Sequence, residues 1–497
     1  MQAQSKLEKF DNYINGKLCQ PSSGKYFESE YPYTGLPWAL IAQSNKEDVN
    51  KAVYAAKDAF TSPEWADLSP TARGKLLRKL GDTIVANVDR LAKIEMTDNG
   101  KLATEVIPQV KYIAEYFYYY GGLADKIQGE VIPTDKTGVF TYTKHEPKGV
   151  VGIITPWNSP LALTTWKLAP ALAAGCTVVI KPSEYTSASM IEFASLFEEA
   201  GFPPGVVNVV CGPGAEAGKS LVEHELVAHI GFTGGEDSGR AIYQAAAATF
   251  KTVTLELGGK SPNIVFNDAD MEQAVKGVVS GIFAAAGQTC IAGSRLLVQD
   301  DIHDQFVDRL VDFLEDVKIG DPSLSSTQIG PIATRPQFDK IMSYIDIARN
   351  EGAVCRFGGK QLNLTENGCF VEPTIFTEVD NDMRIAQEEV FGPVLSVIRF
   401  KDEEDAIKIA NGTRFGLAAG VWTKSLKRAM IMSDKLRAGT VWVNNYRATS
   451  FTSPFGGYTG PSGIGRESGI HAIEEYLTTK CVWISTDLEV PNPFIRR

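Results

Sequence analysis

Gly149-Val-Val-Gly-Ile-Ile-Thr-Pro156 is an uninterrupted apolar run closed by a proline. A run of this length, apolar on both parities, reads as a strand buried on both faces. Four more such runs follow: Thr177–Lys181, Val206–Val210, His229–Thr233 and Lys251–Leu257. Segments of helical character separate them: one around Ala169 to Gly175, then 187–200, 214–222 and 239–248. Five strands alternating with helices predict a parallel, doubly wound α/β sheet of Rossmann type. Ligands of such sheets sit beyond the carboxyl ends of the strands. Thr155–Asn158, Lys181–Glu184, Gly212–Gly214, Thr233–Gly235 and Glu256–Gly258 all fall at those ends.

Working outward, residues 10–45 alternate and turn often, which predicts short strands and hairpins. Helices are expected over 45–60, 69–89, 90–99 and 101–122, with the aromatic cluster 116–120 in a core or an interface. The stretch 129–145 alternates as a hairpin with one apolar face. A second α/β region starts near 259, with strands at 262–266, 293–299, 394–399 and 440–444. Its helices are expected at 270–285, 302–317, 335–350, 403–411 and 424–436. A short helix and an alternating strand close the chain over 470–485.

The 497 residues are 44% hydrophobic and 22% charged, an ordinary globular balance that supplies two or three cores. The net charge of −11, with no long basic run, argues against nucleic acid or anionic membrane as partners. No apolar stretch is long enough to span a bilayer, and the first ten residues lack the apolar centre of a signal peptide. The seven cysteines are odd in number and scattered, as expected of a chain kept in a reducing cytoplasm. The five histidines form no metal-ligand spacing, so no metal is expected.

Two segments carry chemistry. In Phe283-Ala-Ala-Ala-Gly-Gln-Thr-Cys-Ile-Ala-Gly-Ser-Arg295, Cys290 lies among small and polar residues with a glycine on either side. Such glycines let backbone amides approach a reacting atom. A thiol needs local activation to act as a nucleophile, and without it Cys290 is an inert packing group. In Thr252-Val-Thr-Leu-Glu-Leu-Gly-Gly-Lys-Ser-Pro-Asn263, Glu256 interrupts a buried strand. A carboxylate there is costly without a partner or a task, which leaves a salt-bridged residue or a general base of tuned pKa.

These two segments resemble the signature segments of the NAD(P)-dependent aldehyde dehydrogenase superfamily, in its hydrolytic, non-acylating branch. The resemblance extends to Thr155-Pro-Trp-Asn158, Lys181-Pro-Ser-Glu184, Gly231-Phe-Thr-Gly-Gly235, Glu389-Val-Phe-Gly-Pro393 and Pro454-Phe-Gly-Gly-Tyr458, in the family's order over nearly the whole chain. It implies an NAD-binding domain from 1–124 and 148–258, a catalytic domain from 259–459, and a β arm for homodimer or homotetramer formation from 125–147 and 478–497, with 460–477 as a connecting segment.

By this resemblance, Cys290 is the nucleophile that forms a thiohemiacetal and then a thioester, Glu256 the base that activates water, and Asn158 an oxyanion donor. Lys167 and Glu467 match a pair that can relay protons from Glu256 in some members; the equal alternative for these two residues is a plain helix salt bridge. The cofactor is expected along Ile154, Thr155, Pro156 and Trp157, then Lys181, Ser183 and Glu184, then Gly214 and Gly218. It continues past Phe232, Thr233, Gly234, Gly235 and Ser238 to Leu257, Gly258, Glu389 and Phe391. Gly212 to Gly218 fits neither the dinucleotide fingerprint nor a Walker A loop, and the family instead sets the pyrophosphate at the helix after Gly234-Gly235. A carboxylate at Glu184 repels a 2′-phosphate, which makes NAD the preferred cofactor and NADP the lesser one.

The substrate pocket is expected from Ser159, Leu163, Trp166, Ala284, Thr289, Ile291, Arg447, Thr449 and Phe455. Small residues at Ser159, Ala284 and Thr449, where many relatives carry rings, predict a wide pocket suited to bulky or aromatic aldehydes. Arg447 in the entrance loop makes an ω-carboxylated semialdehyde the second choice. The segment 458–466 departs from the common family pattern by one extra residue. Two other functions use the same residues: a cofactor-independent thiol esterase, separable by nucleotide dependence, and a non-enzymatic structural relative, which would tolerate loss of Cys290 or Glu256.

Overall fold

The computed structural model describes residues 7–486 and 492–495. The first six residues, and 487–491 and 496–497 of the expected arm, lie outside the described residues.

The five expected strands form the parallel centre of one sheet, at Val150–Ile154, Thr177–Lys181, Val207–Val209, Val227–Thr233 and Thr252–Glu256. Taken in chain order as first to fifth, they lie side by side as third, second, first, fourth, fifth. The order reverses between Val150–Ile154 and Val227–Thr233, and a crevice opens where the two chains leave the sheet in opposite directions. Apolar side chains fill both faces, and these strands read as continuous hydrophobic runs for that reason. Asn12–Ile14 pairs antiparallel with Val207–Val209 and Lys17–Cys19 follows it at that edge, while Gly463–Ile464 pairs with Leu255 and Glu256 at the other. The segment 460–477 is therefore more than a connection, because part of it completes this first sheet.

A second sheet holds six parallel strands in the order Thr374–Thr377, Val394–Phe400, Arg295–Gln299, Pro262–Val265, Ala418–Trp422 and Thr440–Val443, with Val354–Phe357 antiparallel at one edge. Thr374–Thr377, Ala418–Trp422 and Val354–Phe357 were not expected from sequence. Only residues 257–261 separate the carboxyl end of the last parallel strand of the first sheet from the amino end of Pro262–Val265.

Three helices have boundaries that matter for the site. Pro160–Ala174 starts well before the expected Ala169, with proline at its first position and left-handed Gly175 (φ +99°) at its end. Glu236–Ala247 starts directly after Gly235 and not at 239. Residues 214–218 form one π turn, followed by the short helix Lys219–Glu223.

The expected hairpin over 129–145 is instead a long-range pairing. Val139–Pro147 runs antiparallel to Leu477–Ser485 along its whole length, while the 129–132 stretch pairs back on it only briefly, through the bridge Val131–Tyr142 and the backbone hydrogen bonds Ile132 N–H to Thr141 and Thr143 N–H to Glu130 (both 2.9 Å). This two-stranded arm carries Phe140, Trp483 and Ile484 exposed on its surface. Tyr116, Phe117 and Tyr120 of the aromatic cluster are core residues. Among the described residues no helix is long and apolar enough to cross a membrane.

Candidate active site

The short link between the two sheets organises the site. The first sheet presents its carboxyl edge, with Asn158, Thr233 and Glu256 on or just beyond it. The second sheet presents the loops before its strands: Cys290 precedes Arg295–Gln299, and Glu389 precedes Val394–Phe400. Leu257 and Gly258 pass between the two edges. A cavity of about 170 Å³ there is bounded by Trp157, Asn158, Leu163, Leu257, Gly258, Cys290, Glu389 and Phe391, among others.

The Cys290 loop is held under strain. Ala285 and Ala286 are left-handed (φ +52° and +51°), and Gly287 follows at +71°. Only glycine fits at 287, since an added Cβ would lie 2.1 Å from the Gly392 carbonyl oxygen. Phe391, Arg447 and Ser468, all near the site in the fold, are also non-glycine residues with positive φ. Strained backbone of this kind persists where surrounding contacts over-determine it, and it concentrates at functional sites. Those contacts are visible here. The Asn158 amide donates to the Gln288 carbonyl (2.9 Å), the Ala333 N–H donates to the Gln288 side chain (2.9 Å), and the Tyr446 hydroxyl donates to the Ile291 carbonyl (3.0 Å). Arg295, at the end of the signature segment, is structural. It is fully buried and donates to the carbonyls of Lys260, Ile409 and Ala410 and to Asn381.

Burial pushes the Cys290 thiol up to about 12, and the carboxylates of Glu389 and Glu256 add to the effect. Glu389 lines the same cavity as Cys290, and Glu256 directly precedes Leu257 and Gly258, which also line it. Glu256 is 3% exposed, and neither of its carboxylate oxygens has a hydrogen-bond partner. Burial, and next the charge of Glu467, hold its carboxyl well above the usual range, against the pull of Lys167 and Arg466. Lys167 and Glu467 form a fully buried ion pair, with the Lys167 ammonium also donating to Thr233 Oγ1. The pair sits behind Glu256 and makes no direct hydrogen bond to it.

All of the residues expected to hold a cofactor line cavities. Ile154 to Trp157, Lys181, Ser183, Glu184, Gly214, Gly218, Phe232 to Gly235 and Ser238 bound one of about 600 Å³, at the order-reversal crevice. Leu257, Gly258, Glu389 and Phe391 bound the smaller cavity beside Cys290. The donor set suits a dinucleotide. No side chain caps Glu236–Ala247, so its first amides remain free to face an anion, and Gly235 leaves open space above them. Glu236 would crowd such an anion, but its carboxylate is drawn off by Arg240 (2.8 Å) and Arg414 (2.6 Å). Glu184 takes Lys181 at 3.1 Å and the Gly214 N–H at 3.3 Å. Burial is the largest single influence and would raise its pKa, but the Lys181 charge together with the hydrogen bonds from Lys181 and the backbone outweighs burial and lowers it. Glu389 accepts from the Gly259 N–H (3.0 Å), and an added Cβ on Gly258 would lie 2.6 Å from Glu389 Oε2.

On the substrate side, Leu163, Ile291 and Phe455 are buried, and the Trp166 ring meets Phe455 edge-on at 5.1 Å. Ser159 is buried, while Ala284 and Thr289 are partly exposed. Thr449 is the exception: it is exposed on the loop and no hydrogen bond ties it to the site. Sequence reading missed several participants. Gln337 and Lys340 line the cavity beside Glu389, Tyr112 and Phe451 extend the aromatic wall, and Lys101 and Glu105 border Asn158. All lie on helices or loops far from the signature segments, and as isolated polar or aromatic residues they carried no signal.

Comparison with known proteins bears on this arrangement. The model of the aldehyde dehydrogenase family matches residues 19–482. A (Z)-2-((N-methylformamido)methylene)-5-hydroxybutyrolactone dehydrogenase of Acinetobacter baylyi is 45% identical over 493 residues, 99% of this chain and 100% of its own. A betaine aldehyde dehydrogenase of Bacillus subtilis is 44% identical over 484 residues, 97% and 99% of the two chains. Among solved structures, betaine aldehyde dehydrogenase from Staphylococcus aureus in complex with NAD+ superposes with a TM-score of 0.96 at 40% identity, covering 98% of this chain and 97% of that one. An NAD+ complex of an aldehyde dehydrogenase from Bacillus cereus gives 0.94 at 43% identity, covering 96% and 97%.

Proposed function

The chain belongs to the aldehyde dehydrogenase family, and from that premise we propose that it oxidises an aldehyde to a carboxylic acid with NAD, using Cys290 as nucleophile and Glu256 as base. The observation that carries this reading is one cavity lined by Cys290, Asn158, Glu389 and Phe391, with Glu256, buried and without a hydrogen-bond partner, directly before its lining residues Leu257 and Gly258.

Cys290 Sγ loses its proton to water and bonds to the aldehyde carbon as the C=O π pair moves onto oxygen. The carbonyl oxygen then carries negative charge. Asn158 faces it with an amide that has two N–H donors, one of them spent on Gln288. Together with the Cys290 N–H it forms a preorganised oxyanion site. NAD, when bound, supplies the two-electron acceptor that leaves a thioester on Cys290. Its adenosine ribose is held by Lys181 and Glu184, its pyrophosphate by the amides after Gly235, and its nicotinamide ribose by Glu389. Glu256 then takes a proton from water, the water oxygen attacks the thioester carbon, and the C–S bond breaks to free the acid and Cys290. Burial and the Glu467 charge favour the protonated form of this base, and only its deprotonated form acts. The buried Lys167–Glu467 pair is the route by which that proton leaves. The Glu184 carboxylate disfavours the 2′-phosphate of NADP.

The two sheets are the cofactor domain and the catalytic domain. The arm joins copies of the chain through its exposed edge and its Phe140, Trp483 and Ile484 side chains. The test is stoichiometric. Purified protein given hexanal and NAD should form one hexanoate per NADH. Ester cleavage that needs no nucleotide, with no NADH formed from any aldehyde, would refute the reading.

A further inference from the structure

Two cations meet beside the reacting residues, and the steps above use neither. Lys101 Nζ donates to Ser159 Oγ and to Gln109 Oε1, both at 2.8 Å. Arg447, on left-handed backbone at φ +67°, donates to the Ser280 carbonyl (3.0 Å) and to Thr289 Oγ1 (3.3 Å). Ser159 adjoins Asn158 in the chain, and Thr289 adjoins Cys290. Each cation thus grips the neighbour of a reacting residue.

Glu105 acts on both. One of its oxygens accepts the Ala285 N–H (2.8 Å), while the other is buried without a partner. Its charge raises the pKa of Lys101 and of Arg447, yet burial lowers both, and the Arg447 charge lowers Lys101 further. A narrow cleft bounded by Lys101, Glu105, Asn158 and Ala285 runs through this group. Glu95 also acts on Lys101, but burial pushes its own carboxyl up to about 7, so the two positive groups face one full and one partial negative charge. A partly buried charge without a counter-charge is costly. Arg447 is thus part of a built, shielded cluster and not an isolated surface arginine. That reverses the order of substrates expected from sequence.

We propose that Lys101 and Arg447 bind the carboxylate tail of the substrate, so that the chain takes aldehydes carrying a carboxylate several atoms from the carbonyl. The assignment rests on the dehydrogenase reading. Ser159 and Ala284 are small enough to leave the tail a path, and Trp166 and Phe455 provide the apolar wall for the carbons between. A guanidinium offers a carboxylate two parallel donors. The same charges repel a quaternary ammonium group, so betaine aldehyde should be a poor substrate.

The test compares kcat/KM for para-carboxybenzaldehyde with that for its methyl ester, which has nearly the same shape and no charge. Wild type should prefer the acid by about tenfold or more, the scale of one or two charged hydrogen bonds. The preference should fall to about threefold or less in Arg447→Leu and in Lys101→Met, and betaine aldehyde should rank below both compounds in wild type. An ester turned over as well as the acid by wild type would overturn the assignment, and so would a preference unchanged in both variants. Turnover of the ester alone leaves the dehydrogenase reading standing. Turnover of neither compound, nor of hexanal, would overturn that reading and the tail assignment with it.

Discussion

Replacing Glu95 with glutamine should remove a pH-dependent weakness built into the cofactor domain. Glu95 lies in the helix Val88–Asn99 and is 0% exposed. One carboxyl oxygen accepts the Leu161 N–H at 3.3 Å, in the first turn of the helix that follows Asn158 and Ser159, and the other has no partner. Burial pushes this carboxyl from 4.5 up to about 7, against the opposing pull of Lys101 and of the Leu161 amide. The folded protein therefore holds a proton that the unfolded chain has already lost. The stability this contributes is present in full below about pH 4.5 and is lost as pH rises through about 7. At about 1.4 kcal/mol per pH unit, the loss is ~3 kcal/mol. Glutamine keeps the acceptor for Leu161 and cannot ionise. Asp98, also pushed up to about 7 by burial, feels the Glu95 charge as well, and removing that charge adds to the variant's advantage at high pH. Urea unfolding of wild type and Glu95→Gln, at one protein concentration and at about pH 5 and pH 8, gives a double difference. It should favour the variant at the higher pH by ~3 kcal/mol. An offset between the two proteins that stays the same across that range, within ~0.5 kcal/mol, would refute the reasoning.

Three further outcomes follow from the site. Cys290→Ala should abolish NADH formation while NAD still binds in a calorimetric titration, because the thiol lies outside the larger cofactor cavity. Glu184→Ser should narrow the ratio of NAD to NADP efficiency by about tenfold, since it removes the carboxylate that opposes a 2′-phosphate; a wild type that prefers NADP would contradict this. Gly258→Ala places a Cβ 2.6 Å from Glu389 Oε2. The flexible acid can swing aside, so thermal stability should change little while the Kd for NAD rises by about tenfold.

The parallel sheet of the cofactor domain was legible because its strands are apolar on both faces and end at glycine or proline. Ala418–Trp422 was not, although it has a partner on either side in the second sheet. Its Ala-Ala-Gly opening has poor strand propensity, and Gly420 is small because the Tyr446 ring lies 2.5 Å from where a Cβ would be. The arm shows the limit of local pattern. Alternation marked 139–147 as a strand, but its partner lies more than three hundred residues on, at Leu477–Ser485, and periodicity carries no address. Cys290, Glu256 and the cofactor residues stood out because small residues flank them or because they end apolar runs. Lys101 and Glu105 look like the polar face of an ordinary helix start, and only the fold brings them against Arg447.

The most direct measurement of the central claim is the intact mass of Glu256→Gln after mixing with hexanal and NAD. With the nucleophile present and the base removed, the variant should release one burst of NADH per active site and then stall. Its mass should rise by one hexanoyl group, and that gain should be absent when Cys290→Ala is combined with it. Steady turnover at the wild-type rate with no mass gain would contradict the assignment of Glu256 as the group that frees the acid from Cys290.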